Sequence, residues 1–242
     1  MLINFGGSVA ISTVDYPGKS AIVLFLRGCP LRCPYCHNHK LWSGNNYVEI
    51  DHVKNLIRES MPFISAVVIS GGEPLMQERI FEIASFAKSE GLSVGIETSG
   101  YYPEVAERLI KKNMVDKFFV DVKANPEKYE EITKNKYAFS RLERFLKIVK
   151  NNNVQFELRT TIVKGLIGTL PECDKIARWA SMWLTVDNTW TIQQGIPENG
   201  NFEHFDGIRM YSREEILEIA MGIKRIVKNV KIKTVERGEE TC

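Results

Sequence analysis

No apolar run in this 242-residue sequence approaches the roughly 20 residues that a membrane-crossing helix needs. The longest, Ala21 to Leu26, is cut short by Arg27 and Gly28. Met1 to Gly7 also lack the basic stretch and apolar run of a secretory leader, so the expected location is the cytoplasm, with no membrane partner. Excess charge is missing as well. The 32 basic and 30 acidic side chains leave +2, too little for the electrostatic footprint of a nucleic-acid binder. There is no low-complexity linker and no sharp change of composition, and 44% hydrophobic with 26% charged residues excludes disorder, collagen and coiled coil. A chain of this length removes roughly three quarters of its unfolded surface from water, enough for a core without staples. Cysteine is scarce and its count is odd: of five, Cys29, Cys33 and Cys36 share one short stretch, while Cys173 and Cys242 stand alone. That clustering points to a metal and away from a disulfide framework.

What is present is a repeated β-then-α pattern. Apolar runs at Ala21 to Arg27, Ala66 to Ser70, Ser93 to Thr98, Phe118 to Val122, Phe156 to Val163 and Thr189 to Gln193 read as six strands, apolar on both faces as in a covered parallel sheet. Between them Ile50, Val53 and Ile57 share one helical face, and Ile216, Ala220, Ile223 and Val227 form a stripe near the end. Ser140 with Glu143, and Ser212 with Glu215, have capping-box spacing and predict helix starts. One domain over 1–242 is expected, with a core of about 20–195, a C-terminal helix of about 212–229 and a frayed charged end, Glu236 to Cys242. Six βα units fit an open sheet or a partial barrel. In either, the polar and glycine motifs gather at the carboxyl ends of strands, where parallel α/β folds place their chemistry.

Cys29-x3-Cys33-x2-Cys36 supplies three thiolates, the ligands that hold zinc or iron and sulfide. A structural zinc site closes with four ligands, whereas a four-iron cluster on three thiolates leaves one iron open for a small molecule. The competing reading is a Cys3His zinc knuckle completed by His37 or His39. With Tyr35 before the last cysteine, the triad resembles the signature of radical S-adenosylmethionine enzymes, and Gly71-Gly72-Glu73-Pro74 after a later strand is similar to that superfamily's second motif. Thr13-Val14-Asp15-Tyr16-Pro17-Gly18-Lys19 and Cys36-His37-Asn38 narrow the resemblance to the glycyl-radical-enzyme activases, nearest to the anaerobic ribonucleoside-triphosphate reductase activating proteins, from about Asn4 to Gln194.

That resemblance implies an α/β fold with a partial (β/α)6 TIM-like barrel. It also implies an oxidoreductase in which a [4Fe-4S] cluster on Cys29, Cys33 and Cys36 reductively cleaves S-adenosylmethionine to a 5′-deoxyadenosyl radical. The radical takes hydrogen from a glycine of a partner, an anaerobic ribonucleotide reductase, and a low-potential donor such as flavodoxin or ferredoxin reduces the cluster. In relatives, Gly71, Gly72, Glu73 and Pro74 lie by the methionine part, where glycine admits close backbone approach and Glu73 pairs with the ammonium. Taken alone, this run reads as a turn. Tyr35 is placed either by the adenine or in ordinary packing. Glu97, Thr98 and Ser99 end the third strand. Asp121 and Lys123 lie on one face at the end of the fourth, facing ribose and carboxylate with a monovalent cation, or forming a buried ion pair. Arg159 offers a planar fork to the carboxylate or makes a surface salt bridge. Asp15, His37 and Asn38, flanking the cluster loop, are the substrate-facing candidates, and His37 can instead donate to a cluster sulfur.

The pattern is broken near the last strand. Where pyruvate formate-lyase activases carry a histidine, this chain has Gln193-Gln194-Gly195-Ile196-Pro197, with Gln193 or Gln194 as substitute partners and His204 too distant to serve. Cys173 reads as a buried structural thiol and Cys242 as a bystander. Two other functions compete. One is radical chemistry on a small molecule, as in 7-carboxy-7-deazaguanine synthases, and the other is a non-enzymatic zinc or nucleic-acid module, which leaves Glu73, Asp121 and Lys123 without a task.

Overall fold

Valine, isoleucine and phenylalanine runs form the inner strands of the computed structural model, which describes residues 1–201 and 207–242. In chain order the elements are β1 (Leu2–Tyr16), β2 (Lys19–Leu26), β3 (Tyr47–Glu49), α1 (Ile50–Ser60), β4 (Ala66–Gly71), α2 (Ile80–Ser89), β5 (Ser93–Thr98), α3 (Pro103–Lys111) and β6 (Lys117–Asp121). There follow α4 (Tyr129–Thr133), α5 (Ala138–Asn151), β7 (Gln155–Ile162), α6 (Leu170–Ala180), β8 (Thr189–Gln194), α7 (Arg213–Ile223), β9 (Val230–Thr234) and β10 (Gly238–Thr241). No helix of the described residues is long and apolar enough to cross a membrane.

Two compact units are distinguished. The first comprises Met1–Pro30, Lys40–Phe119 and Arg141–Gln155, the second Leu31–His39, Val120–Ser140 and Phe156–Cys242. In the first, the strand order is β3-β1-β2-β4-β5. β2, β4 and β5 are parallel and in step, Ala21 beside Ala66 and Ala66 beside Ser93, so Leu26 and Gly71 end side by side. This register delivers the cysteine loop and the glycine motif to one edge. In the second unit β7, β8 and β9 are parallel and β10 is antiparallel to β9. The mostly parallel βα repeat is the expected α/β class, consistent with a partial TIM-like barrel.

Burial follows the double-sided apolar pattern. Val67, Val68, Ile69, Val94 and Ile96 are fully buried, and Ile50, Val53 and Ile57 bury the predicted face of α1. Each such aliphatic side chain contributes about 1.5–3 kcal/mol through its removal from water. In the second unit Trp190 is fully buried and its indole N–H donates to Thr160 Oγ1 at 3.0 Å, so the one polar atom of a large core residue is satisfied.

All six expected strands form, within one or two residues at their ends, but β1, β3, β9 and β10 were not foreseen. β1 and β2 form an antiparallel pair through the Pro17-Gly18 turn, with Gly18 at φ +78°. The charged end does not fray. Gly238 at φ +70° turns β9 into β10, and Arg213 Nε and Nη2 each donate at 2.7 Å to the two oxygens of Glu240, a bidentate pair that holds the hairpin. Ser212 and Glu215 cap α7 reciprocally as predicted, but the helix ends at Ile223, well short of 229, and packs against α6, β8 and β9. Ser140 does not start α5. It is the third residue of the helix, donating to the Tyr137 carbonyl at 3.1 Å.

Ile69→Ala is expected to cost about 2–5 kcal/mol by equilibrium urea unfolding, because a fully buried side chain leaves a cavity. A cost under about 1 kcal/mol would contradict the central position of β4.

Candidate functional site

The cysteine loop starts where β2 stops. Arg27 N–H donates to the Asn4 carbonyl at 3.0 Å, Gly28 takes φ +95°, and the Gly28 and Cys29 amides donate to the Leu41 and Trp42 carbonyls at 2.8 and 3.2 Å. The Gly71-Gly72-Glu73-Pro74 segment is joined to this start by backbone. Gly72 N–H reaches the Leu26 carbonyl at 2.8 Å and Glu73 N–H the Gly28 carbonyl at 2.7 Å. Only glycine permits this approach. A Cβ on Gly71, which also has φ +122°, would stand 2.2 Å from the Leu26 oxygen, and one on Gly72 would stand 2.2 Å from the Gly28 oxygen and 3.3 Å from Cys29 Cβ.

Glu73 is 1% exposed and joins this loop to the end of β5. Its Oε1 accepts from Leu75 N–H at 3.2 Å and Thr98 Oγ1 at 2.7 Å. Its Oε2 accepts from Ser99 N–H at 2.8 Å and Ser99 Oγ at 2.5 Å. Burial raises its pKa from the ordinary carboxylate value, against the pull of these hydrogen bonds. The ammonium contact expected of Glu73 thus meets a carboxylate that already holds four donors. Pro74 opens a 3₁₀ turn, Pro74–Met76, where a missing N–H costs nothing. Beside it, Ser70 Oγ donates to Glu97 at 2.6 Å, so Glu97, Thr98 and Ser99 are all tied to the glycine-motif strand or its loop.

In the second unit Cys33 is buried and Cys36 partly so, and Cys36 N–H donates to the Cys33 carbonyl at 3.0 Å, fixing the two-residue gap as a turn. Tyr35 is buried and its hydroxyl donates to the Lys123 carbonyl at 2.7 Å. Burial pushes the phenol well above its ordinary pKa, which keeps it a donor. Lys123 Nζ meets Asp121 Oδ2 at 2.7 Å, confirming the same-face geometry read from the sequence. Burial works against the Lys123 ammonium, yet the Asp121 carboxylate holds its pKa well above the ordinary lysine value. His37 is exposed, Asn38 half-buried.

Arg159 makes no surface bridge. It is 5% exposed in mid-β7, its Nε 3.0 Å from Oε1 of the equally buried Glu157, which also accepts from Thr191 Oγ1 at 3.0 Å. Glu157 escaped the sequence reading, although Glu157-Leu158-Arg159 repeats the acid-x-base spacing of Asp121-Val122-Lys123 and Val122 N–H donates to the Arg159 carbonyl at 2.7 Å. Gln194 is committed to structure, donating to the Tyr211 carbonyl and accepting from Val235 N–H, both at 2.7 Å, while Gln193 accepts from Thr161 Oγ1 at 3.4 Å. His204 lies outside the described residues. Asp15 does not flank the cysteine loop. The antiparallel β1–β2 turn sets it at the amino end of β2, roughly 25 Å of strand from the end that carries Cys29, where it accepts from Ser12 Oγ at 2.5 Å.

The donor chemistry fits an iron-sulfur cluster. Cys29, Cys33 and Cys36 are not in disulfides, and thiolate is the ligand such clusters take. Among the described residues no three His, Cys, Asp or Glu side chains are gathered as ligands of a single ion. Thiolates that each take a different iron of a cluster do not need to be.

The sequence profile of the Radical SAM superfamily matches residues 23–180. A Methanocaldococcus jannaschii protein provisionally named a glycyl-radical enzyme activating enzyme is 36% identical over 244 residues, covering 95% of each chain. The pyruvate formate-lyase-activating enzyme of Clostridium pasteurianum is 33% identical over 177 residues, 69% of this chain and 72% of that one. Among solved structures, QueE from Escherichia coli superposes with a TM-score of 0.58 at 16% identity over 97% of this chain and 95% of that one, a likeness of fold.

Gly72→Ala is expected to abolish retention of iron and sulfide after reconstitution, measured as bound iron per chain; retention equal to the wild type would refute the close approach. Burial pushes the Cys173 thiol up to about 12, so in the cluster-free protein at pH 8 iodoacetamide should label Cys29, Cys36 and Cys242 and spare Cys173. Rapid labelling of Cys173, read by peptide mass spectrometry, would contradict its place in α6.

Proposed function

The chain belongs to the radical SAM superfamily, whose members use a [4Fe-4S] cluster and S-adenosylmethionine, and from that membership we propose that it is the activase of a glycyl radical enzyme. The observation that carries this reading is three cysteines outside any disulfide on one loop whose start is hydrogen-bonded, backbone to backbone, to the Gly-Gly-Glu-Pro segment. Cys29, Cys33 and Cys36 would hold the cluster. When bound, cluster and S-adenosylmethionine supply a one-electron reductive cleavage whose 5′-deoxyadenosyl product takes a hydrogen atom from substrate.

The chain's own residues bind and orient. Gly71 and Gly72 let the glycine-motif backbone lie directly against Leu26 and Gly28 at the start of the cysteine loop, and Glu73 acts through Thr98 and Ser99, fixing the end of β5 so that Glu97, Thr98 and Ser99 present themselves in one arrangement. Lys123 and Arg159 are the cations suited to the methionine carboxylate, each oriented by an acid two residues earlier. Tyr35 positions the end of β6 through the Lys123 carbonyl. The exposed His37 and its half-buried neighbour Asn38 would meet a protein substrate. The finer identity of the partner, an anaerobic ribonucleotide reductase, rests on the Thr13 to Lys19 and Cys36-His37-Asn38 segments. A flavodoxin or ferredoxin class donor would supply the electron.

The test is anaerobic reconstitution, reduction in the presence of S-adenosylmethionine and assay of 5′-deoxyadenosine, with Cys33→Ala as control and the candidate reductase carrying α-deuterated glycine. Deuterium in the 5′-deoxyadenosine, lost with Cys33→Ala, is the expected result. Product without deuterium would move the reading to a small-molecule substrate. No product, with zinc retained in the cysteine loop, would overturn the radical chemistry.

A further inference from the structure

Four consecutive carbonyls, those of Lys40, Leu41, Trp42 and Ser43, all accept hydrogen bonds from three consecutive residues, Arg27, Gly28 and Cys29. The inner two are taken by the backbone amides of Gly28 and Cys29. The outer two are taken by one side-chain nitrogen, Arg27 Nη1, at 3.1 Å from the Lys40 oxygen and 3.2 Å from the Ser43 oxygen. Residues 27–29 are the start of the cysteine loop and residues 40–43 are its return, so the guanidinium spans the mouth of a loop that carries two further cysteines.

Other contacts hold Arg27 itself in place. Its N–H donates to the Asn4 carbonyl, and its carbonyl accepts from Gln77 Nε2 at 2.8 Å, the same amide that donates to the Asn4 carbonyl at 2.8 Å. Gly44, at φ +90°, passes close by, where a Cβ would stand 3.3 Å from Arg27 Nη1. Arg27 Nε is buried and makes no hydrogen bond among the described residues. A buried donor left unpaired is a cost to stability, so the side chain is poorly explained as a stabiliser of the fold and better explained by what Nη1 holds.

We infer that Arg27 is a positioning residue for the cysteine loop: its guanidinium clips the loop's return to its start and so holds Cys29, and the chain that leads to Cys33 and Cys36, in the arrangement that receives and retains the cluster. The inference rests on the cluster reading above for its consequence and on unit-one geometry for the clip. Closing the mouth of a loop in advance removes conformational freedom that metal uptake would otherwise have to remove, and a released iron finds its ligands still in place. Lysine is a poor substitute, being a single compact charge on a shorter reach than the planar fork.

The test uses the full chain with Arg27→Met and Arg27→Lys, reconstituted anaerobically with iron and sulfide. Release of iron to a chelator is followed by absorbance, and tryptic cutting after Arg32 and Lys40 is followed in the cluster-free protein by mass spectrometry. Arg27→Met is expected to release iron about tenfold faster than wild type, and Arg27→Lys by a smaller factor, since two charge-assisted hydrogen bonds are lost or weakened. Cutting at Arg32 and Lys40 should accelerate while cutting elsewhere and the thermal midpoint stay near wild type. Wild-type iron release and wild-type cutting in Arg27→Met would overturn the clip, as would acceleration at every site alike, which would mark a general loss of stability. If the wild type takes up no cluster at all, the functional reading fails by itself. The cutting pattern at Arg32 and Lys40 then still decides for or against the clip.

Discussion

The closest constraint in this protein is the contact between two backbones at Gly28 and Gly72. The Glu73 amide reaches the Gly28 carbonyl at 2.7 Å only because position 72 has no side chain, and the residue after Gly28 is the first cysteine. The rest of this end of the first unit is arranged around that contact. β2 and β4 must end in register for Leu26 to meet Gly71. Glu73 must be buried with its carboxylate turned to Thr98 and Ser99, and this transmits the position of the loop to the end of β5. Burying that carboxylate is unfavourable in itself, and the four donors around it offset the cost.

The second unit solves a similar problem with charge. An acid and a base lie two residues apart twice, Asp121 at the end of β6 with Lys123 just beyond it and Glu157 with Arg159 within β7, and in each case the two side chains meet. Away from water, a cation held by its own neighbouring carboxylate keeps its proton and its direction. The two pairs differ in depth: Asp121 and Lys123 are partly open at the end of β6, while Glu157 and Arg159 are buried in the middle of β7, where loss of either partner would strand the other charge. Tyrosines complete the frame. Tyr35 takes the Lys123 carbonyl and the buried Tyr129 hydroxyl accepts from the Lys123 amide at 3.4 Å, so the backbone behind the lysine is held on both sides.

Much of this was legible in the sequence because its signals are local. Apolar runs between helical stripes located all six inner strands, and the capping box at Ser212 and Glu215 stands where the spacing placed it. The nearness of Asp121 and Lys123 was legible as an acid and a base two residues apart, with an ion pair as one of the two readings, although Lys123 lies just beyond β6. What was missed depends on partners distant in the chain. β1 is half exposed and glycine-bearing, so neither period is clean, and it becomes a strand by pairing with β2. The same antiparallel turn carried Asp15 away from the cysteine loop, an error that reading motifs by their order in sequence invites. The charged tail became a hairpin because Arg213, far upstream, meets Glu240. Glu157 shows a different failure: the acid-x-base signal was present, but it sat inside an apolar strand where an acid needs a buried partner to be credible.

The measurement that bears most directly on the account is electron paramagnetic resonance of the reduced, reconstituted protein before and after addition of S-adenosylmethionine. Three thiolates on four irons leave one iron for the ligand, so the account predicts a reduced-cluster signal whose g-values change on addition. A signal that is indifferent to S-adenosylmethionine, or none from a protein that retains its metal, would contradict it.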